Sequence, residues 1–388
     1  MPRVSAFMVL ILAAMSAFGP LATDMYLPAF PAIALGLAAD PSAVQKTLAA
    51  FFAGMAIAQL VFGPLADRFG RRRPLLVGLG IFVLGSIGCS LTGGVGWLTF
   101  WRFVQGLGGC AGMVMARAIV RDLTDGSATI RLMSRLMLVV TLAPILAPSI
   151  GSQLLGLGGW RAIFWALVAY GLGLALVVTL LLPESLPPER RRRDSLLGIM
   201  MVYARMLGNR RFMGLVLSGV LPMAGMFAYI AGSPFVFMEL HGVAPQHYGF
   251  YFGANAVGIM GASQLNAWLS HRQPPERVLL WGLLSMTGAG VTLAALANTG
   301  SFVGVVVPLF VFVASIGMVM PIATALAMAT QGRTAGSASA LIGTLQFGGG
   351  AIAGAVVGAL YDGTAMPMAA VIAFAGIGGL LSRLLLIR

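Results

Sequence analysis

Gly63-Pro64-Leu65-Ala66-Asp67-Arg68-Phe69-Gly70-Arg71-Arg72-Arg73 is the stretch on which the fold is read. It carries four arginines and one acid between two apolar runs, near 43–66 and 74–93. Each run is about as long as a helix must be to cross the hydrocarbon core of a bilayer, roughly 20 residues. Gly63 permits close contact between helices and Gly70 a tight turn, while the arginines must stay in water. A short, strongly basic turn between two spans is the expectation.

Composition extends that reading to the whole chain. Of 388 residues 59% are hydrophobic and only 9% charged, and the mean hydropathy is +0.94. A soluble domain carries roughly 25% charged residues, because something polar has to cover its surface. A chain this poor in charge is built for lipid. Its 52 glycines and 20 prolines fit the same solvent, since membrane helices use glycine for close approach and tolerate proline where neighbours satisfy the freed backbone. Cys89 and Cys110 lie in apolar runs without metal-ligand spacing and read as lone buried thiols. Met1-Pro2-Arg3 precedes an apolar run that continues past Ala22, with no cleavage pattern leading into polar sequence. That run reads as a first span, not a removed leader.

Dividing the chain at Pro/Gly clusters and charges gives spans near 5–33, 43–66, 74–93, 96–122, 131–156 and 160–182, then 211–239, 247–270, 277–297, 301–329, 334–360 and 366–387. Arginine placement tests this count. Even-numbered spans are followed by Arg68 and Arg71 to Arg73, by Arg121, Arg131 and Arg135, by Arg190 to Arg193 with Arg205, Arg210 and Arg211, by Arg272 and Arg277, by Arg333, and by Arg388. Odd-numbered spans are followed by almost none, Lys46 and Arg161 being the exceptions. Twelve spans with both termini in the cytoplasm produce this alternation. The formal charge of +13 is therefore a topology signal. Nucleic-acid binding would need a concentrated basic patch with interleaved aromatics.

The expected fold is thus all-α and integral to the membrane, with twelve transmembrane helices in two pseudo-symmetric halves. Residues 1–182 form an N-terminal six-helix half, 183–210 a cytoplasmic linker that can touch anionic lipid, and 211–388 a C-terminal six-helix half. Shifting the chain by about 200 positions sets Leu65–Arg72 against Leu265–Arg272, which keeps a basic end but loses the acid and the glycine. Duplicated halves of this kind place a transporter's substrate site near the midplane between them.

Three motifs resemble those of the major facilitator superfamily. The opening stretch matches its G-x-x-x-D-R-x-G-R-R-R loop between spans 2 and 3. Arg102-Phe103-Val104-Gln105-Gly106 in span 4 resembles its R-x-x-Q-G element. Ala143-Pro144-Ile145-Leu146-Ala147-Pro148-Ser149-Ile150-Gly151 in span 5 resembles the G-x-x-x-G-P-x-x-G-G element of drug:proton antiporters, with Ala147 in place of a glycine and only one glycine after the proline. Asp24-Met25-Tyr26-Leu27-Pro28-Ala29-Phe30-Pro31 and Arg117-Ala118-Ile119-Val120-Arg121-Asp122-Leu123 are similar to the Bcr/CflA branch, the bicyclomycin-resistance-like exporters. So are stretches around Ala224–Phe227, Gly232–Val236, Val243–Phe252 and Thr334–Leu341.

The resemblance implies a proton-coupled multidrug or small-molecule antiporter of the bacterial inner membrane, working as a monomer by alternating access around a central cavity. It implies no cofactor, the proton being the coupling ion. Asp67 would latch the cytoplasmic side through a nearby arginine and the helix N-terminus at Ala335–Ser337, with Gly63, Arg68, Gly70, Arg71, Arg72 and Arg73 completing the gate loop. Asp24 is an acid well inside an apolar span, where a fixed charge is costly, which suits it to load and release a proton. Arg102 is its expected electrostatic partner. Tyr26, Gln105, Met226, Phe227, Tyr229, Tyr251 and Asn255 would line the cavity, since methionine and aromatic groups adapt to varied apolar ligands. Pro144 and Pro148 would bend span 5 and, with Gly151, seal the halves. The role of Arg117 is left open.

A proton-coupled importer or a metabolite exporter of the same fold is the nearest alternative. Bicyclomycin-like antibiotics, sulfonamides, chloramphenicol-type drugs and cysteine are all compatible cargoes. A membrane enzyme would need a paired acid or a metal constellation within the spans, whereas His241, His247 and His271 fall at span ends or in loops. A channel would need a filter-like or charged-ring segment, and none is visible.

Overall fold

The computed structural model describes residues 6–124, 126–191, 196–329, 331 and 334–386. Arg192, Arg193, Arg333 and Arg388 of the arginine alternation, and the side chains of Arg131, Arg135 and Arg190, lie outside the described residues. Among those described the chain is helical throughout, with no strand. That is the arrangement in which a chain in lipid satisfies its backbone within one segment.

Contacts divide the chain into two compact units. The first, residues 1–39 and 50–194, holds α1 (Ala6–Asp24), the short α2 (Phe30–Gly36), most of α3 (Pro41–Phe69), α4 (Arg72–Leu91), α5 (Val95–Leu123) and α6 (Gly126–Leu181). The second, residues 40–49 and 195–388, holds the start of α3 and then α7 (Leu196–Gly208), α8 (Arg210–Pro234), α9 (Pro245–Ser270), α10 (Pro275–Leu296), α11 (Phe302–Ala329), α12 (Ala335–Ala359) and α13 (Met366–Leu386). The helix pairing of the first unit recurs six spans later. As α4 packs on α5 and α1 on α5, so α10 packs on α11 and α8 on α11.

Ten stretches among the described residues are long and apolar enough to cross a membrane by length and composition alone. Two features reconcile this with twelve spans. The 56-residue α6 is two helices joined at Gly158 and Gly159, where the backbone leaves helical dihedrals and Gly159 takes φ 69°. This is the break expected between 156 and 160. Helix α9 has the length of a span, 26 residues, but Gln246, His247, Asn255, Gln264 and Asn266 lower its apolarity.

Other elements differ from the sequence reading. The first span is not one helix over 5–33: α1 stops at Asp24, a 3₁₀ turn covers Leu27–Ala29, and α2 starts at Phe30. Pro28 and Pro31 have no N–H to donate to a continuing helix, and each stands in the first turn of the segment it opens. The 183–210 interval contains helix α7. Pro144 and Pro148 stand inside α6, in the span where the sequence reading sets them.

Candidate functional site

Helix α1 ends in the interior of the first unit, and the site is built around that end. Asp24, its last residue, is 4% exposed, yet among the described residues no hydrogen bond or ion pair reaches its carboxyl. The last carbonyls of a helix lack intrahelical donors, and Arg102 of α5 supplies one: its Nη1 donates to the Ala22 carbonyl oxygen at 3.1 Å. The same nitrogen donates to Gln105 Oε1, and Gln105 Nε2 donates to Ser86 Oγ at 2.7 Å. The guanidinium lies over the rings of Phe51 at 4.3 Å and Tyr26 at 4.4 Å, with Phe164 at 5.9 Å. Ring faces attract a desolvated cation. Arg102 is fully buried, and its Nε and Nη2 find no acceptor among the described residues.

Arg102 and Asp24 are therefore not joined as a direct ion pair. The arginine is held instead by the carbonyl of Ala22, two residues before Asp24, and by an aromatic cage. Tyr26 and Gln105 are fully buried and turned to Arg102.

Glycines set the spacing. A Cβ at Gly106 would meet the Phe51 carbonyl oxygen at 2.1 Å, so the last residue of the R-x-x-Q-G element lets α5 touch α3 where Phe51 covers Arg102. A Cβ at Gly151 would meet the Met25 carbonyl oxygen at 2.1 Å. The span 5 motif thus seats the turn that follows Asp24. At Gly112 the neighbour is the Met15 carbonyl oxygen, 2.6 Å away, which fixes α1 on α5.

The loop between α3 and α4 makes a second, ionic cluster. Gly70 turns the chain at φ 89°, a conformation that favours glycine. Arg71 then points back: its Nη1 donates to Asp67 Oδ1 at 2.7 Å, its Nε to Asp122 Oδ2 at 2.7 Å and its Nη2 to Asp122 Oδ1 at 3.2 Å. Ser185 Oγ donates to Asp122 Oδ2 at 2.9 Å. Burial works against the charge on Arg71, but the bonds to Asp122 and Asp67 outweigh it and hold the guanidinium above its ordinary pKa. Glu184 accepts from the Arg71 and Arg72 backbone N–H groups at 2.8 and 3.2 Å, covering the start of α4. Arg68 and Arg73 are exposed. Among the described residues the close helix contact expected at Gly63 is not made: a Cβ there would have nothing within 4 Å, so this packing does not demand glycine at that position.

In the second unit, Tyr229 is buried and its hydroxyl accepts from Asn255 Nδ2 at 2.9 Å. Its ring stacks on Phe252 at 5.5 Å. Tyr251 stands edge-on to Phe237 and Phe302, and with Asn255, Val306 and Phe310 it lines a cleft of about 160 Å³. Phe227 packs against Gly350, beside a half-buried Met226. Tyr251 and Asn255 thus share a cleft, while Phe227 turns to α12.

Sequence reading missed Asp122 and Glu184 as parts of the loop, and Phe51 and Phe164 as the cage. The chain has only 11 acids, so an acid directly after an apolar span was itself a signal. Nothing in the sequence singles out two phenylalanines among 22.

The sequence profile of the Major Facilitator Superfamily matches residues 9–354. The chain belongs to the major facilitator superfamily. It is 37% identical over 366 residues to an uncharacterized MFS-type transporter, YdgK, of Bacillus subtilis, covering 93% of this chain and 90% of that one. It is 33% identical over 362 residues to the bicyclomycin resistance protein homolog of Haemophilus influenzae, covering 93% and 91%. That likeness sets it in the Bcr/CflA-like branch of the superfamily. The xylose transporter XylE of Escherichia coli, in a partially occluded inward-open conformation, superposes with a TM-score of 0.74 at 14% identity, covering 97% of this chain and 95% of that one. The fold is thus that of a superfamily transporter, and the chain is a multi-pass membrane protein that moves small molecules.

Proposed function

We propose that this transporter is a proton-coupled exporter of small, amphipathic molecules, drugs among them, resident as a monomer in the bacterial inner membrane with both termini in the cytoplasm. The observation that carries the proposal is Asp24: a buried carboxyl with no partner among the described residues, at the broken end of α1. A fixed charge there is costly unless compensated. A group that alternates between neutral and charged can instead couple proton movement to a change of state. Two donor nitrogens of Arg102 have no acceptor among the described residues, and in this reading the arginine answers the charge on Asp24 when the proton leaves.

Alternating access turns this into transport. A proton from outside neutralises Asp24 and favours one state; its release to the cytoplasm favours the other, and cargo binds the two differently. The Arg71–Asp67–Asp122 cluster lies on the cytoplasmic side in this topology, where it holds the α3–α4 turn in one shape. The likeness to a bicyclomycin resistance protein homolog supports drug cargo and the outward direction.

The test is a drug-susceptibility panel in an efflux-deficient bacterial host, comparing wild type with Asp24→Asn at matched membrane abundance. Wild type raises tolerance to at least one compound and Asp24→Asn returns the host to its baseline. Equal protection by the Asn variant removes Asp24 from the mechanism.

A further inference from the structure

A second cation in α5 has no place in the mechanism above. Arg117 stands 22 residues after the start of α5 and six before its end. Arg102 is fully buried among partners, but Arg117 is exposed, and among the described residues it makes no ion pair. It lines a notch of about 20 Å³ formed with Ser16 of α1, Met113 of its own helix, and Met133, Leu136 and Val140 of α6. A topology-setting arginine belongs at the headgroup level. This one faces Ser16, which is eight residues, about 12 Å, before Asp24 on α1. The Ser16 hydroxyl is committed to the Leu12 carbonyl oxygen at 2.8 Å, so the notch contributes one permanent cation and otherwise apolar or sulfur-bearing walls.

We infer that Arg117 is a recognition residue for an anionic group, and that the transporter's cargo includes amphipathic organic anions such as aromatic carboxylates. A guanidinium cannot lose its charge in a protein and presents a planar fork that matches a carboxylate. A notch of about 20 Å³ accepts one water-sized group, such as a carboxylate oxygen. Met113 and Met133 flank it, and their unbranched, polarizable side chains adapt to apolar bodies of varied shape. Charge on one side and methionine on the other select for a molecule with an acid at one end and a ring or chain at the other. This deepens the exporter reading and depends on it only for the direction of movement.

The test is equilibrium binding to the purified full-length protein in detergent, without a proton gradient. Its probes are 1-naphthoate and its neutral counterpart 1-naphthalenemethanol, and the thermal shift is followed across a concentration series. Wild type binds the carboxylate about tenfold to a hundredfold more tightly, the scale of a hydrogen bond to a charged group. Arg117→Met abolishes the preference and Arg117→Lys retains part of it. Equal affinity of wild type for the two probes, or binding of neither, overturns the inference. So does an Arg117→Met protein that still prefers the acid. If Arg117→Met proves polydisperse, the wild-type preference and its reduction in Arg117→Lys decide alone. Failure of the Asp24 test would leave these affinities unchanged, so the two readings fail separately.

Discussion

Replacing Gly151 by alanine tests how the span 5 motif supports the turn after Asp24. The added Cβ would lie 2.1 Å from the Met25 carbonyl oxygen and 2.8 Å from the Met25 carbonyl carbon and Cα. Ordinary contact begins at 3.4 Å, so the two backbones must separate by about 1.3 Å. Both partners are main chain, so no flexible side chain can absorb the shift. Overpacking of a tight contact costs about 1–3 kcal/mol, sometimes more, equivalent to roughly fivefold to 150-fold in an equilibrium constant. Gly63→Ala is the matched control. Its Cβ meets nothing, and alanine gains about 1 kcal/mol over glycine within a helix. The assay is thermal unfolding of the purified proteins in one detergent, followed by size-exclusion recovery. Gly151→Ala lowers the midpoint, and Gly63→Ala leaves it unchanged or raises it. A Gly151→Ala midpoint at or above wild type would show that α6 does not hold the Met25 turn this closely.

Further outcomes follow from the same geometry. Asp122→Ala removes two of the bonds of a nearly buried Arg71 and costs about 3 kcal/mol, the scale of breaking a buried pair. Asp67→Ala costs under about 1 kcal/mol, because the Asp67 side chain is 46% exposed. Thermal midpoints of both variants rank them. Arg102→Met leaves the Ala22 carbonyl and Gln105 Oε1 without their donor, lowers stability by about 1–3 kcal/mol and abolishes drug tolerance in the host. Arg102→Lys also fails to restore tolerance, because an ammonium does not reproduce the planar fork over Tyr26 and Phe51. Tyr229→Phe removes the acceptor for Asn255 Nδ2 and costs about 1 kcal/mol in the same unfolding assay.

Much of the fold is legible in the sequence because lipid imposes few solutions. Apolar length sets the spans, and the Gly158-Gly159 pair marks the break in α6. The loop from Gly63 to Arg73 was legible by spacing, and Gly70 takes the positive φ that its glycine permits. What escaped reading depends on distant pairing. Glu184 comes to the N-terminus of α4 across 113 residues, and Phe51 comes to Arg102 through the contact at Gly106. Local pattern reports neither. The helix break at Asp24 was hidden for another reason. Asp24-Met25-Tyr26-Leu27-Pro28 is apolar enough to pass as continuous span, and only the lack of an N–H at Pro28 and Pro31 argues for a stop.

Gradient-driven accumulation in everted membrane vesicles, for a compound to which wild type confers tolerance, tests the role of Asp24 most directly. With the vesicle interior acidified, wild type concentrates the compound inside, and collapse of the pH gradient releases it. Asp24→Asn, present at equal abundance, lets the compound equilibrate but never concentrates it. If the Asn variant accumulates the compound against its gradient as wild type does, Asp24 is not the coupling acid and the account built on the end of α1 is wrong.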